Sequence, residues 1–170
     1  MATSSISSSS SSSPVQQVTI VPFNAAVHQQ GAELLLAGIA AEYPENFYSR
    51  SSKLLPAGAV RYHWAAEASG ILAGTVAVII FPEGYAALKS MFLDKAFRGA
   101  ELQVAARLLA TALDKAREHK CHAMYLGTMQ QFVAAQRFYE KNGFELISEN
   151  SLPGSFPAND VDTVFYGKAL

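Results

Sequence analysis

A single cysteine, Cys121, is all the thiol in this 170-residue chain, which excludes an intrachain disulfide and fits a reducing compartment. Charge is sparse as well. Only 16% of residues are charged, and 13 Lys and Arg against 14 Asp and Glu leave a net of −1. No overall field therefore recruits nucleic acid or an anionic membrane surface. Long apolar runs are missing: the longest, around residues 76–81, suits a strand and falls far short of a membrane span. The chain has no GxSxG elbow, no GxxxxGKS/T phosphate loop and no GxGxxG fingerprint. It has no internal repeat. Half of its residues are hydrophobic, enough at this length to build one sizeable core.

The first fourteen residues, MATSSISSSSSSSP, form a serine tract with almost nothing to bury. Burial cannot offset its ordering entropy, so residues 1–14 are expected to be a disordered tail and 15–170 a single domain. The tract lacks the basic start and apolar centre of a secretory signal and carries no arginine. The expectation is a cytoplasmic protein.

Hydrophobic periodicity predicts strands over 18–23, 61–67, 71–81, 88–93, 123–128, 144–148 and 163–166. It predicts helices over 25–43, from 100 to about 120, and over 130–142. Val27, Gly31, Leu34, Leu35, Gly38 and Ile39 are spaced for the buried face of the first helix, and Pro44 stops it. Residues 44–58 mix aromatics, charges and prolines without a period, and the loop at 152–157 carries two prolines. Strands interleaved with helices in this order fit an α/β class, a mixed sheet with helices on both faces.

One stretch organises the rest. Leu88-Lys89-Ser90-Met91-Phe92-Leu93 reads as a largely buried strand. Ala105, Leu108, Leu109, Ala112 and Ala116 then recur at helical spacing. Between them Phe97, Arg98 and Gly99 turn the chain. A helix start presents unpaired amide donors and a positive dipole end, which suits a phosphate. Small residues at Gly99, Ala105 and Ala106 let an anion come close.

Taken with FVAAQRFYEKNGF at residues 132–144, LKSMFLDKAFRG resembles the GCN5-related N-acetyltransferases, the GNAT superfamily. The resemblance runs from about residue 17 to the C-terminus and is strongest over 88–144. It implies the GNAT fold, with a mostly antiparallel central sheet, and direct acetyl transfer from acetyl-CoA to an amine. In that family the strand matching 88–93 splays from its neighbour and pairs with pantetheine. This makes Met91 and Leu93, with Phe92 between them, the main-chain contact candidates. The family's phosphate loop reads Q/R-x-x-G-x-G/A. Here Ala100 stands first, Gln103 replaces the glycine, Val104 follows and only Ala105 fits. Arg98-Gly99 precedes the loop like the RG-type variants, and Arg98 is expected to supply charge. Phe132 stands where many relatives carry an Asn for pantetheine, and Ala135 keeps its helix face low. Tyr139 matches the tyrosine that often acts as general acid, the alternative being an aromatic packing its helix on the sheet.

One role is vacant. Ala87 stands where relatives often place a basic Glu, and Glu83, Tyr85 and His63 are the nearby candidates. His119, Cys121 and His122 resemble a metal cluster on paper but straddle a helix end without a second ligand pair, so no metal is expected. The acceptor is expected to be a small-molecule or peptide amine, with nucleic acid and membrane not expected as partners. Edge pairing into a homodimer is left open. Ala87 and Gln103 also suit a coenzyme-binding regulatory module that has lost catalysis, and a GNAT-shaped interaction protein that binds no coenzyme is a third reading.

Overall fold

The computed structural model describes residues 17–43, 54–99 and 103–170. The serine tail, residues 44–53 of the irregular segment, and Ala100, Glu101 and Leu102 of the anticipated phosphate loop lie outside the described residues. The elements are β1 (Val18–Pro22), α1 (Ala25–Glu42), β2 (Val60–Ala68), β3 (Ile71–Ile80), β4 (Tyr85–Leu93), α2 (Val104–Glu118), β5 (Ala123–Thr128), α3 (Val133–Lys141), β6 (Glu145–Ile147) and β7 (Val164–Ala169). Short 3₁₀ turns occur at Lys95–Phe97 and Glu149–Ser151.

The seven strands make one sheet in the order β1-β2-β3-β4-β5-β7-β6. Every pairing is antiparallel except β4 with β5. This is the mixed sheet that the element order implied, with the mostly antiparallel pairing that the resemblance implied. β3 reads as an almost unbroken apolar run because it is central and covered on both faces.

α2 and α3 cover one face. Val104, Leu108, Leu109 and Ala112 from α2 and Tyr139 from α3 close over Val76, Val78, Leu88 and Leu126. α1 covers part of the other, with Leu35 and Ile39 against Leu72, Phe92 and Met129. Beyond α1 that face is covered by the β6–β7 loop, whose Phe156 packs among Ile79, Phe81, Tyr85 and Ala87.

α1 begins at Asn24, whose side chain accepts the Ala26 N–H at 3.0 Å. Its buried face is narrower than the apolar pattern suggested. Val27 is 67% exposed and Leu34 is 68% exposed, and a Cβ on Gly38 would meet nothing within 4 Å. His28, Leu35 and Ile39 face inward instead. The reason is polar: Nδ1 of His28 accepts the Asn24 N–H at 2.9 Å and its Nε2 donates to Glu67 of β2. Those bonds fix the helix rotation. Gly31 then lets it sit close, because a Cβ there would lie 3.1 Å from Leu72 Cβ.

Several ends moved. α3 starts at Val133 rather than 130, since Gln130 to Phe132 form the turn after β5. β4 begins three residues earlier than expected because Tyr85, Ala86 and Ala87 pair with β5. β7 runs on to Ala169 for the same reason, pairing with β5 along its length.

Candidate active site

Strand β4 carries the irregularity that creates the site. Phe92 pairs with Thr75 of β3 and Lys89 with Ala77, so three steps on β4 oppose two on β3. The extra residue falls at Ser90, which takes a left-handed φ of 50°. Thr75 Oγ1 donates to the Ser90 carbonyl at 2.8 Å, and Arg61 Nη2 donates to Ser90 Oγ at 3.0 Å. The bulge turns β4 away from β5. The two strands pair only from Tyr85 to Ala87 and then part.

A cavity of about 710 Å³ fills the opening, within the range that encloses most of a drug-sized ligand. Met91, Phe92, Leu93, Arg98, Gly99, Gln103, Ala105, Ala106, Phe132, Ala135 and Tyr139 all line it. Eleven of the twelve sequence candidates are thus brought to one space. The twelfth, Val104, is buried in the α2 core.

Asp94 N–H donates to the Ala73 carbonyl at 2.8 Å, and Phe92 pairs with Thr75. Polar groups alternate sides along an antiparallel strand, so those of Leu93 and Met91 point toward the gap. Leu93 offers its N–H there, because its carbonyl accepts Nε and Nη2 of Arg98, each at 3.2 Å.

Arg98, the residue expected to supply phosphate charge, is engaged in an ion pair. It sits at the cavity, but its Nη1 and Nη2 donate to both carboxylate oxygens of Glu42 at 2.8 and 2.9 Å. This fork ties the end of α1 to the turn after β4. The same bond holds the Glu42 carboxyl below its ordinary value, with the charge of Arg98 adding to it.

At the start of α2, Gln103 takes φ 50° and ψ 27°, the left-handed conformation. This is the position where the resembling family has glycine. Its side chain is exposed and makes no capping bond. Its carbonyl accepts the Arg107 N–H at 3.0 Å, the first turn holds no acidic residue, and Gln103, Ala105 and Ala106 at the helix start line the cavity with Gly99. Arg107 is directed elsewhere: Nη1 donates to the Val18 carbonyl at 2.7 Å.

Tyr139 is 7% exposed and packs its ring near Phe144 and Tyr166, with centroids at 5.8 and 6.2 Å. It is a core aromatic that also borders the cavity. Phe132 does likewise, meeting Tyr43 edge-on at 4.7 Å while lining the opening.

The base candidates fare differently. Ala87 is fully buried beneath Phe156, so its position is covered as well as chemically inert. Tyr85 is 1% exposed, and its hydroxyl shares a 2.7 Å hydrogen bond with Ser155. Glu83 lies exposed in the β3–β4 turn. His63 stacks on Phe23 at 4.1 Å, and its Nε2 is buried with no hydrogen-bond partner among the described residues. Desolvation, with the charges of Arg61 and His28, holds its pKa down to about 4. None of these side chains lines the cavity. Among the described lining residues the carboxylate is Asp162, from the β6–β7 loop. Sequence spacing gave no sign of it, since Asp162 lies 23 positions beyond Tyr139. Nor did it reveal Glu42 or Phe156. Among the described residues, no group of three or more His, Cys, Asp or Glu could hold a metal, and no helix is long and apolar enough to cross a membrane.

A sheet parted beside a bulged strand, with a helix start lining the gap, is the architecture of the N-acetyltransferase fold. The family model described as acetyltransferase (GNAT) family matches residues 33–144, and the chain belongs to that family. It is similar to the GNAT-family acetyltransferase of Staphylococcus aureus, with a TM-score of 0.77 and 28% identity over 90% of this chain and 99% of that one. An acetyltransferase from Streptococcus agalactiae superposes with a TM-score of 0.74 at 22% identity, over 91% of this chain and 99% of that one. PaiA N-acetyltransferase from Thermoplasma acidophilum, solved in complex with coenzyme A, superposes with a TM-score of 0.65 at 16% identity, over 91% and 99%. No curated protein matches the chain significantly in sequence.

Proposed function

We propose that the protein transfers an acetyl group from acetyl-CoA directly to an amine, with both substrates bound together. The observation that carries this reading is the gap itself. It joins a helix start suited to a pyrophosphate, a strand edge suited to pantetheine amides and a tyrosine suited to the sulfur, all along one cavity. Coenzyme A is the ligand of the Thermoplasma protein, and the thioester it carries is already activated. Holding the amine against that carbonyl therefore supplies much of the rate.

The acceptor must be a free base when it attacks. An alkylamine of pKa about 10.4 is neutral in only about one molecule in 2,500 at pH 7. Its nitrogen attacks the thioester carbon, the C–N bond forms and the C–S bond breaks. The Tyr139 hydroxyl hydrogen-bonds the departing sulfur, and the proton that the amine nitrogen sheds goes to the thiolate or to water. A thiolate leaves readily, so hydrogen bonding to its developing charge outweighs full proton transfer.

The second reading is a coenzyme A-binding regulatory module without catalysis. The covered Ala87 and the side chain at left-handed Gln103 favour it. Thermal shift with acetyl-CoA and an amine screen for free CoA separate the two. At 100 times its dissociation constant, acetyl-CoA stabilises by about 2.7 kcal/mol, or roughly 5–10 °C. Both readings expect that shift. Amine-dependent CoA release supports transfer, and its absence across the panel leaves the regulatory module. No shift with millimolar acetyl-CoA, CoA or longer acyl-CoAs overturns both.

A further inference from the structure

Among the described residues, the buried polar side chains are those of His28, Thr75 and Thr128. Two of them are hydrogen-bonded: His28 to Asn24 and Glu67, and Thr75 Oγ1 to the Ser90 carbonyl at 2.8 Å. Thr128 is only 9% exposed, yet its hydroxyl has no hydrogen-bond partner among the described residues. Nor is that hydroxyl sealed in, since the enclosed side-chain atom without a partner is His63 Nε2. The small open part of Thr128 therefore includes Oγ1, and it opens on the cavity that Thr128 lines. We propose that Thr128 is a coenzyme-binding residue whose hydroxyl hydrogen-bonds an amide of the pantetheine arm. The inference rests on the coenzyme reading above and adds a contact from the β5 side of the gap.

The fold itself does not call for a hydroxyl at this position. Successive β5 residues point to opposite faces of the sheet. Met124 and Leu126 pack in the core beneath α2 and α3, whereas Tyr125 joins the Phe156 cluster and Gly127 faces Asp162. Thr128 continues the first series, on the face that carries Tyr139, and a valine of nearly the same shape would pack there as well. Its backbone is fixed by the strand. Thr128 pairs with Val164 of β7, and its carbonyl accepts the Thr163 N–H at 2.9 Å. An unpaired hydroxyl in so enclosed a place destabilises the protein, and a polar ligand group offsets that loss.

An amide is the group this place suits. A threonine hydroxyl carries one donor and two acceptor sites, so it serves either the carbonyl or the N–H of a pantetheine amide. Across the gap, the β4 edge at Met91 and Leu93 offers main-chain groups to the same arm. Ala105 and Ala135 line the same cavity with no more than a methyl group each. Phe132, four residues beyond Thr128, stands where the family resemblance places an Asn for pantetheine, and its side chain has no hydrogen bond to give. Thr128 supplies a polar side chain from the strand end instead. Lys89, Asn159 and Asp162 also line the cavity, but they meet it on the side of the β6–β7 loop, the face to which Gly127 points.

Calorimetry on the full chain tests the contact with acetyl-CoA and with 3′-phosphoadenosine 5′-diphosphate, which is the nucleotide end without the arm. Thr128→Val should weaken acetyl-CoA binding by about 5- to 30-fold, because a pantetheine amide then faces a methyl group. Its affinity for the nucleotide should stay within about twofold of wild type. Thr128→Ser keeps the hydroxyl and should bind acetyl-CoA within about threefold of wild type. Thr128→Ala should lose as much affinity as Thr128→Val, so the result does not hinge on how valine packs. Without ligand, Thr128→Val should melt no lower than wild type, since the hydroxyl it removes has no protein partner. Wild-type acetyl-CoA affinity in both hydroxyl-free variants overturns the contact and leaves coenzyme binding standing. Equal losses for acetyl-CoA and the nucleotide also overturn it, because they report a displaced strand rather than a lost bond to the arm. Hydroxyl-dependent affinity without amine-dependent CoA release supports the contact and overturns acetyl transfer. A wild-type protein that binds no acetyl-CoA overturns both.

Discussion

Gln103→Gly is the substitution whose effect follows most directly from the backbone. Gln103 begins α2 with φ 50° and ψ 27°, where a Cβ crowds the following carbonyl at a cost of about 1–2 kcal/mol. Glycine removes the crowding but loses about 0.5–1 kcal/mol more conformational freedom on folding. Nothing else is given up, because the side chain is exposed and makes no capping bond. The net gain is about 0.5–1 kcal/mol, or roughly 1–4 °C in melting temperature for a chain of this size. Gln103→Ala keeps the Cβ and should stay within about 0.5 kcal/mol of wild type. Urea titration with an unchanged m-value measures both. Acetyl-CoA should also bind several-fold more tightly to the glycine variant, since the first amides of α2 become easier to approach. A glycine variant no more stable than the alanine variant would refute the strain argument.

Tyr139→Phe should keep the fold and acetyl-CoA affinity while lowering kcat by about 10- to 1,000-fold; unchanged kcat with chemistry rate-limiting would leave the ring a packing role only. Arg98→Ala and Glu42→Gln should couple by about 1 kcal/mol in a double-mutant cycle, and Arg98→Ala should barely change the salt dependence of acetyl-CoA binding. A strong loss of salt dependence would return Arg98 to the phosphate. His63 titrates near 4 in the fold against 6.5 in the unfolded chain. Its contribution is fully present above 6.5 and is lost as pH falls toward 4, because in that window the unfolded state binds the proton first. The loss should be about 1–2 kcal/mol, discounted for the ring's partial exposure. His63→Phe should flatten it and add about 1 kcal/mol at pH 7 by removing an unpaired buried nitrogen. A pH–stability profile identical to wild type would sink that account.

The sequence by itself determined the elements and the family. The patterns that carry those readings are local: apolar residues at helical or alternating spacing, and the FYEKNGF run at the end of α3. They survive in one dimension because each is written within about fifteen consecutive residues. The strand with Met91 and Leu93 and the helix start after it are likewise neighbours in the chain, but the gap also needs β5, which follows α2. Where a face was set by partners elsewhere, local pattern misled. Val27 and Leu34 look like core residues, yet His28 turns inward because Glu67, 39 positions away, holds it there.

Tertiary structure decided the chemistry at the ends of the cavity. Arg98 reads as a phosphate ligand in sequence, and the end of α1 brings Glu42 against it from 56 residues away. Ala87 reads as a missing base until Phe156 covers it. Asp162 carries no motif at all, and only the pairing of β7 with β5 sets its carboxylate over Gly127. Each of these depends on groups meeting across dozens of residues. Charge neutralisation and steric room are properties of such meetings, and no spacing along the chain encodes them.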